Sequence, residues 1–152
     1  MRRKDKAVTD RGEIDDIISR SLVCRLALSR NNIPYVIPLC FGYDGKYLYF
    51  HSAGEGMKID ILKENPDVAF EFDTDCEPMP AEKPCAWSMK YRSVVGSGQA
   101  VFIENPGEKL DALDIIFSRY SRHTSGLDSG ATDAITIFKV RIREMTGKKS
   151  RM

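Results

Sequence analysis

Two histidines, one tryptophan and four cysteines are all that 152 residues contain of those types, and no two cysteines form a C-x-x-C pair. Cys24, Cys40, Cys76 and Cys85 are too scattered to make a zinc ligand set with so few histidines, so no metal is expected. Cys24 and Cys40 each lie in an apolar strand-like run, where a thiol behaves as a small hydrophobe. Net charge is only +1, which gives the molecule no overall attraction to nucleic acid or membrane. No apolar run reaches the length of about 18 residues that a membrane helix needs, and no signal-peptide pattern is present. With unpaired cysteines, these absences make a reduced, cytoplasmic setting the expectation. There is no G-x-x-x-x-G-K-[ST] loop for nucleotide phosphates. No acidic partner can be assigned to a histidine for nucleophilic catalysis, and Asp15-Asp16 and Asp73 with Asp75 do not read as a hydrolytic carboxylate pair.

What is present is an ordinary globular composition, 42% hydrophobic and 30% charged. A chain of this length buries roughly 68–70% of its unfolded surface and folds as one domain without staples. Basic residues gather at the ends, as Arg2, Arg3, Lys4 and Lys6 and as Lys148, Lys149 and Arg151. Residues 1–8 and 147–152 are therefore expected to be solvated basic tails, with salt-sensitive nucleic-acid contact as the competing reading.

Along the chain the period of the apolar residues changes repeatedly. Asp10 and Glu13 form a capping-box-like start for a helix whose face is Ile14, Ile17 and Ile18. Leu22, Cys24, Leu26 and Leu28 then alternate with Val23, Arg25, Ala27 and Ser29 as a strand, and Asn31-Asn32 supplies a turn. The run PYVIPLCFGY (34–43) is apolar on both faces and is expected to be buried on both, although Pro34 and Pro38 require an edge or opening. After Asp44-Gly45, a third strand places Tyr47, Tyr49 and His51 on one face and Leu48, Phe50 and Ser52 on the other. A short helix from Met57 to Glu64 is stopped by Asn65-Pro66. Val68, Phe70 and Phe72 mark a fourth strand, and 74–84, with three prolines, reads as a surface loop. The long strand-like run 85–104 is interrupted by Gly96-Ser97-Gly98, a pattern for a bulge. Asn105-Pro106-Gly107-Glu108 starts a helix with an expected buried face of Leu110, Leu113, Phe117 and Tyr120. Residues 121–133 read as a loop, and 134–145 as a last strand. Repeated βαβ crossovers are lacking, so a Rossmann sheet is disfavoured and a mainly β barrel with accessory helices is expected.

The stretch YFHSAGEGMKIDILKENP (49–66) carries the most chemistry. A helix start offers free N–H groups and partial positive charge. Gly54 and Gly56 permit close backbone approach, and Ser52 adds a hydroxyl. Lys58 lies in the first turn, where the helix dipole disfavours a cation unless an anion is bound beside it. One reading is a phosphate site; the other is an ordinary glycine loop with a solvated lysine. His51 alone is either a hydrogen-bonded rim residue or a proton-handling group. Trp87 and Tyr91 could wall a flat ring pocket or belong to the core.

The segments CRLAL, PYVIPLCFGYDGKYLYFHSA, GMKIDILKENP, YRSVVGSGQA and MTGKK occur in one order over nearly the whole chain. Together they resemble the pyridoxamine 5′-phosphate oxidase-like, flavin-binding split-barrel superfamily, in particular its nitroimidazole-resistance-related branch. The resemblance implies an FMN-binding split barrel and a homodimer with FMN at the subunit interface. It implies that Val36, Ile37, Pro38 and Leu39 run beside the flavin ring, and that Ser52, Ala53 and Lys58 lie at its phosphate. It further implies that Ser93 is a flavin contact supplied from the other subunit, with Tyr91 close by, and that His51 stands near the flavin as a candidate catalytic residue. The oxidases carry a basic pair where this chain has Met57-Lys58, and their C-terminal arginine motif for pyridoxal phosphate is missing here. The implied activity is therefore reduction of a small electrophile such as a nitroaromatic. The alternative is a non-catalytic flavin- or haem-binding protein on the same barrel.

Overall fold

The computed structural model describes residues 4–121 and 135–151. After a short 3₁₀ turn at Lys4–Lys6 the elements are β1 (Ala7–Val8), α1 (Arg11–Arg20), β2 (Cys24–Arg30), β3 (Ile33–Leu39), β4 (Gly42–Tyr43), β5 (Tyr47–Ala53) and α2 (Met57–Glu64). There follow β6 (Asp67–Met79), a 3₁₀ turn at Pro84–Ala86, β7 (Ser88–Phe102), α3 (Pro106–Tyr120) and β8 (Ile135–Ser150). Every strand pairing is antiparallel, in the order β3-β2-β6-β7-β8-β5-β4, with β1 added to β8. The two end strands of that order, β3 and β4, are consecutive in sequence and joined only by Cys40 and Phe41. The sheet therefore curls until its ends adjoin without forming a ladder, which is a split barrel.

Alternation decides what fills it. Cys24, Leu26, Phe50, Phe70, Phe72 and Phe138 point inward and are fully buried or nearly so, and Ile17 and Ile18 of α1 join them. Phe41 packs on Phe72 with centroids 4.7 Å apart, and Phe50 stacks on Phe138 at 5.2 Å. The helix starts behave as their sequences dictate: the Asp10 carboxylate accepts from the Glu13 amide at 2.8 Å, and Asn105 Oδ1 accepts from Gly107 and Glu108. β7 shifts register against β8 between Ser97 and Gly98, the bulge expected from the glycines. A Cβ on Gly96 would stand 2.6 Å from the Glu144 carbonyl oxygen, so only glycine lets β7 and the Phe70 ring approach this closely.

Several expectations need correction. The run 34–43 is two strands, and β3 is an edge strand with only β2 beside it. Tyr35, Ile37 and Leu39 turn to the core, but Val36 is 59% exposed, because no layer covers the outer face of β3. Cys40 is exposed, whereas Cys24 is buried as expected. The loop expected at 74–84 is strand as far as Met79. β6 bulges at Asp75 (φ 56°) and resumes pairing at Glu77 with Lys90. Pro78 is tolerated there because β6 pairs β2 only through Glu71, leaving its far edge free. Residues 147–150 are no tail but the end of β8, paired with β7 and β1. Lys6 donates to Ser150 Oγ at 2.7 Å and Lys149 pairs with Glu13 at 2.9 Å, so these lysines tie the two chain ends down. α3 buries Ala112, Leu113 and Ile116, of which only Leu113 belongs to the expected face. Tyr120 is exposed instead, and its hydroxyl accepts from Phe41 N and donates to Leu22 O, both at 3.0 Å. Of the expected loop 121–133, all but Ser121 lies outside the described residues.

Candidate functional site

The β5–α2 corner is fixed from both sides. Leu48 and Phe50 anchor β5 in the core, so the opposite parity of His51 and the strand's end at Ser52 and Ala53 emerge at the rim, paired with Ile137, Thr136 and Ile135 of β8. α2 follows after Gly54-Glu55-Gly56 and is held down by buried Ile59, Ile61 and Leu62. Its C-terminal end is tied to β2, with Asn65 Nδ2 donating to Ser29 O at 3.0 Å and Arg30 pairing with Glu64 at 3.2 Å. The same strand, β2, carries β3 on its other edge. Lys58 and the Val36–Leu39 segment are therefore mounted on one support.

Gly56 is the N-cap of α2 at φ 124°, a conformation that L side chains rarely adopt, and it makes no side-chain cap. Its carbonyl accepts from Ile59 and Asp60, which leaves the first-turn amides of Met57 and Lys58 without backbone partners among the described residues. Among the described residues, no heavy atom stands within 4 Å of where a Cβ on Gly56 would be. Lys58 is half-buried, and burial pushes its ammonium below the ordinary lysine range. No carboxylate among the described residues lies within ion-pair distance of it. The Ser52 hydroxyl likewise has no protein partner among the described residues. His51 is half-buried with its ring 5.6 Å from Phe117, and its Nδ1 is fully buried without a hydrogen bond among the described residues. Burial first, and the Lys58 charge second, hold the imidazole below its ordinary range, so it is neutral at pH 7. The corner thus offers two backbone donors, a hydroxyl and a cation without a counter-charge among the described residues, beside a neutral imidazole. Chemically, that set receives an anion.

His51 and Lys58 stand close enough for the lysine charge to act on the imidazole, and Ser52 and Ala53 follow His51 on β5. Val36, Ile37, Pro38 and Leu39 lie on the end strand β3, whose edge away from β2 pairs with no strand among the described residues. Tyr91 and Ser93 do not join them. Ser93 pairs with Lys148 of β8, whereas His51 pairs with Ile137, eleven residues away along the same strand. At the rise of an extended strand that is about 35 Å along β8. Tyr91 and Ser93 instead line a cleft of about 390 Å³ with Arg25, Glu71, Asp73, Cys76 and Met89 on the outer face of β2, β6 and β7. Sequence reasoning misses Arg25, Glu71 and Asp73 as site candidates. Their signal is the outward parity of β2 and β6, which places Arg25 opposite Glu71 once the two strands are known to pair.

The comparisons with known proteins agree with this architecture. The family pattern described as pyridoxamine 5′-phosphate oxidase matches residues 10–149. A proposed 5-nitroimidazole antibiotic resistance protein of Bacteroides thetaiotaomicron is 33% identical, with 93% of this chain and 85% of that one covered and a TM-score of 0.84. An FAD-binding protein of Mesorhizobium loti is 25% identical over 95% of this chain and 97% of its own, with a TM-score of 0.69. A flavocytochrome of Azotobacter vinelandii shares the fold at 18% identity, covering 100% of this chain and 72% of its own with a TM-score of 0.87. An uncharacterized protein of Rhizobium meliloti (strain 1021) is 33% identical over 65 residues, and that match spans 42% of its length and 43% of this chain. Among the described residues, no helix is long and apolar enough to cross a membrane. By its sequence pattern and its split barrel alike, the chain belongs to the pyridoxamine 5′-phosphate oxidase family.

Proposed function

We propose that the protein is an FMN-dependent oxidoreductase that reduces a small electrophile such as a nitroaromatic, and that it works as a homodimer. The observation that carries this reading is the half-buried Lys58, without a counter-ion among the described residues, beside the glycine-capped start of α2. That corner suits a phosphate monoester, and the donor set fits the phosphate end of FMN. Lys58, Ser52, Ala53 and the first-turn amides would hold the phosphate, and the free edge of Val36, Ile37, Pro38 and Leu39 would offer its backbone groups to the ring. Bound there, FMN supplies electron transfer that no side chain of the protein provides. A neutral, half-buried His51 would accept a hydrogen bond from a ligand or move a proton through its ring. Ser93 lies too far along the barrel to reach the same corner, so a site using both needs a second subunit; this supports the homodimer. The relatives described as nitroimidazole resistance and FAD-binding proteins support the substrate and cofactor classes. The experiment is to purify the protein, record its visible spectrum and follow reduction of a nitroaromatic with a nicotinamide donor. Bound FMN that no donor reduces would sink the enzyme reading.

A second reading is a non-catalytic flavin or haem carrier. The half-buried, neutral ring of His51 favours it, since a neutral imidazole is also a haem ligand. An absorption band near 400 nm on haem addition, roughly as intense as in other histidine-ligated haems and lost in His51→Ala, would establish it.

A further inference from the structure

The cleft on the outer face of β2, β6 and β7 belongs to neither phosphate anchoring nor the ring edge of the same subunit, and its polar groups are unevenly satisfied. Arg25 alone serves two carboxylates, Glu71 at 3.0 Å and Asp73. Cys76 donates its thiol to the other Asp73 oxygen at 3.1 Å, and that contact pushes the thiol up to about 11, so it stays protonated. Burial and then the neighbouring Asp73 charge hold Glu71 above the usual carboxylate range in spite of Arg25. Two acids thus share one guanidinium. The Tyr91 and Ser93 hydroxyls have no hydrogen-bond partner among the described residues. Met89, 43% exposed, and the Tyr91 ring supply an apolar and polarizable floor. A second cation borders the cleft, but Lys148 lies over the Tyr91 ring, 5.3 Å from its centroid, and not among the carboxylates.

We infer that this cleft is a binding site for a flat aromatic ring bearing a hydrogen-bond donor or positive charge, and that its paired carboxylates turn away anionic rings. The ring lies against Tyr91 and Met89, and its donor completes the coordination of Glu71 and Asp73. This deepens the flavin reading and rests on it in one respect. Asp73 is the cross-strand neighbour of Ser93, so a ligand held here would stand beside the flavin that Ser93 contacts in the other subunit. The cleft then selects the electrophile by charge.

The test is equilibrium dialysis of 4-nitrobenzylamine and 4-nitrobenzoate against the full chain, with and without saturating FMN. Two carboxylates at exposed-to-intermediate positions predict that the amine binds about tenfold more tightly than the acid. Glu71→Gln and Asp73→Asn should each cut that ratio to about threefold or less. Met89→Lys, which adds a cation at an exposed position and leaves the ion pairs intact, should do the same and decides the matter if either carboxylate variant fails to fold. Equal affinities in the parent protein, no binding of either compound at millimolar concentration, or a ratio unmoved by the substitutions would each overturn the inference. A protein that takes up no FMN yet keeps the ratio would sink the flavin reading and leave the cleft standing.

Discussion

The β5–α2 corner and the cleft on β2, β6 and β7 are both polar rims of one barrel, and they carry opposite electrostatic demands. Among the described residues, the half-buried cation at the corner has no carboxylate within ion-pair distance, the imidazole Nδ1 has no hydrogen bond and the first two amides of α2 have no backbone partner. At the cleft the cation is over-subscribed, with two carboxylates on one arginine. The first surface lacks an anion and the second lacks a donor. An exposed ion pair such as Arg25–Glu71 contributes little to stability, whereas an unpaired, partly desolvated lysine costs free energy that only a ligand returns. The difference teaches where to look for bound phosphate: at the cation the fold leaves unpaired, not where charges are most numerous.

That contrast is sharpest when the two cations are removed in turn. A charge-assisted contact to phosphate is lost in Lys58→Ala, so FMN affinity should fall about 10- to 100-fold by fluorescence titration. Arg25→Ala should leave it within about threefold, because Arg25 is committed to its own carboxylates. Equal losses would break the comparison. Next in size, Gly56→Ala forces a side chain into φ 124° and should cost about 1–3 kcal/mol in urea unfolding, although open space surrounds the position. A substitution without cost would mean that the loop does not hold that conformation.

The imidazole gives a pH test of the corner. The folded state holds His51 below its unfolded value of 6.5, so below that pH the unfolded chain takes up a proton that the folded chain refuses. Stability is therefore present above pH 6.5 and declines as pH falls toward the folded-state value. His51→Gln should flatten the thermal-unfolding midpoint between pH 7 and pH 5 relative to the parent, measured by circular dichroism. An unchanged slope would place the imidazole in water. The smallest effect belongs to the cleft, where a double-mutant cycle on Arg25 and Glu71 should return about 0.2–1 kcal/mol. A larger coupling would mean that the cleft is more desolvated than its exposure indicates.

Much of this architecture is legible in the amino-acid sequence. Period changes mark α1, β2, β5, α2 and β8. The glycines of β7 mark its bulge, and the glycines and lysine of 54–58 mark the corner. What is not legible depends on neighbours. The run PYVIPLCFGY is apolar enough to be buried twice, yet β3 ends a sheet and Val36 and Pro38 face outward. Pro78 argues for a loop because proline breaks ladders, and the rule does not apply on an edge without a partner. Lys148 and Lys149 read as tail because charge at a terminus is usually solvated, while here Glu13, Tyr91 and β1 receive them. The Arg25–Glu71–Asp73 cluster joins residues far apart in sequence and exists only through the β2–β6 register.

The central claim is that the corner at Lys58 anchors the phosphate of a flavin, and comparing FMN with riboflavin tests it most directly. The two ligands share every ring atom and differ in the phosphate alone. Titrated by flavin fluorescence at fixed ionic strength, the protein is expected to bind FMN at least about tenfold more tightly than riboflavin, and Lys58→Ala to erase most of that difference. Equal affinities for the two ligands, or binding of neither, would contradict the account.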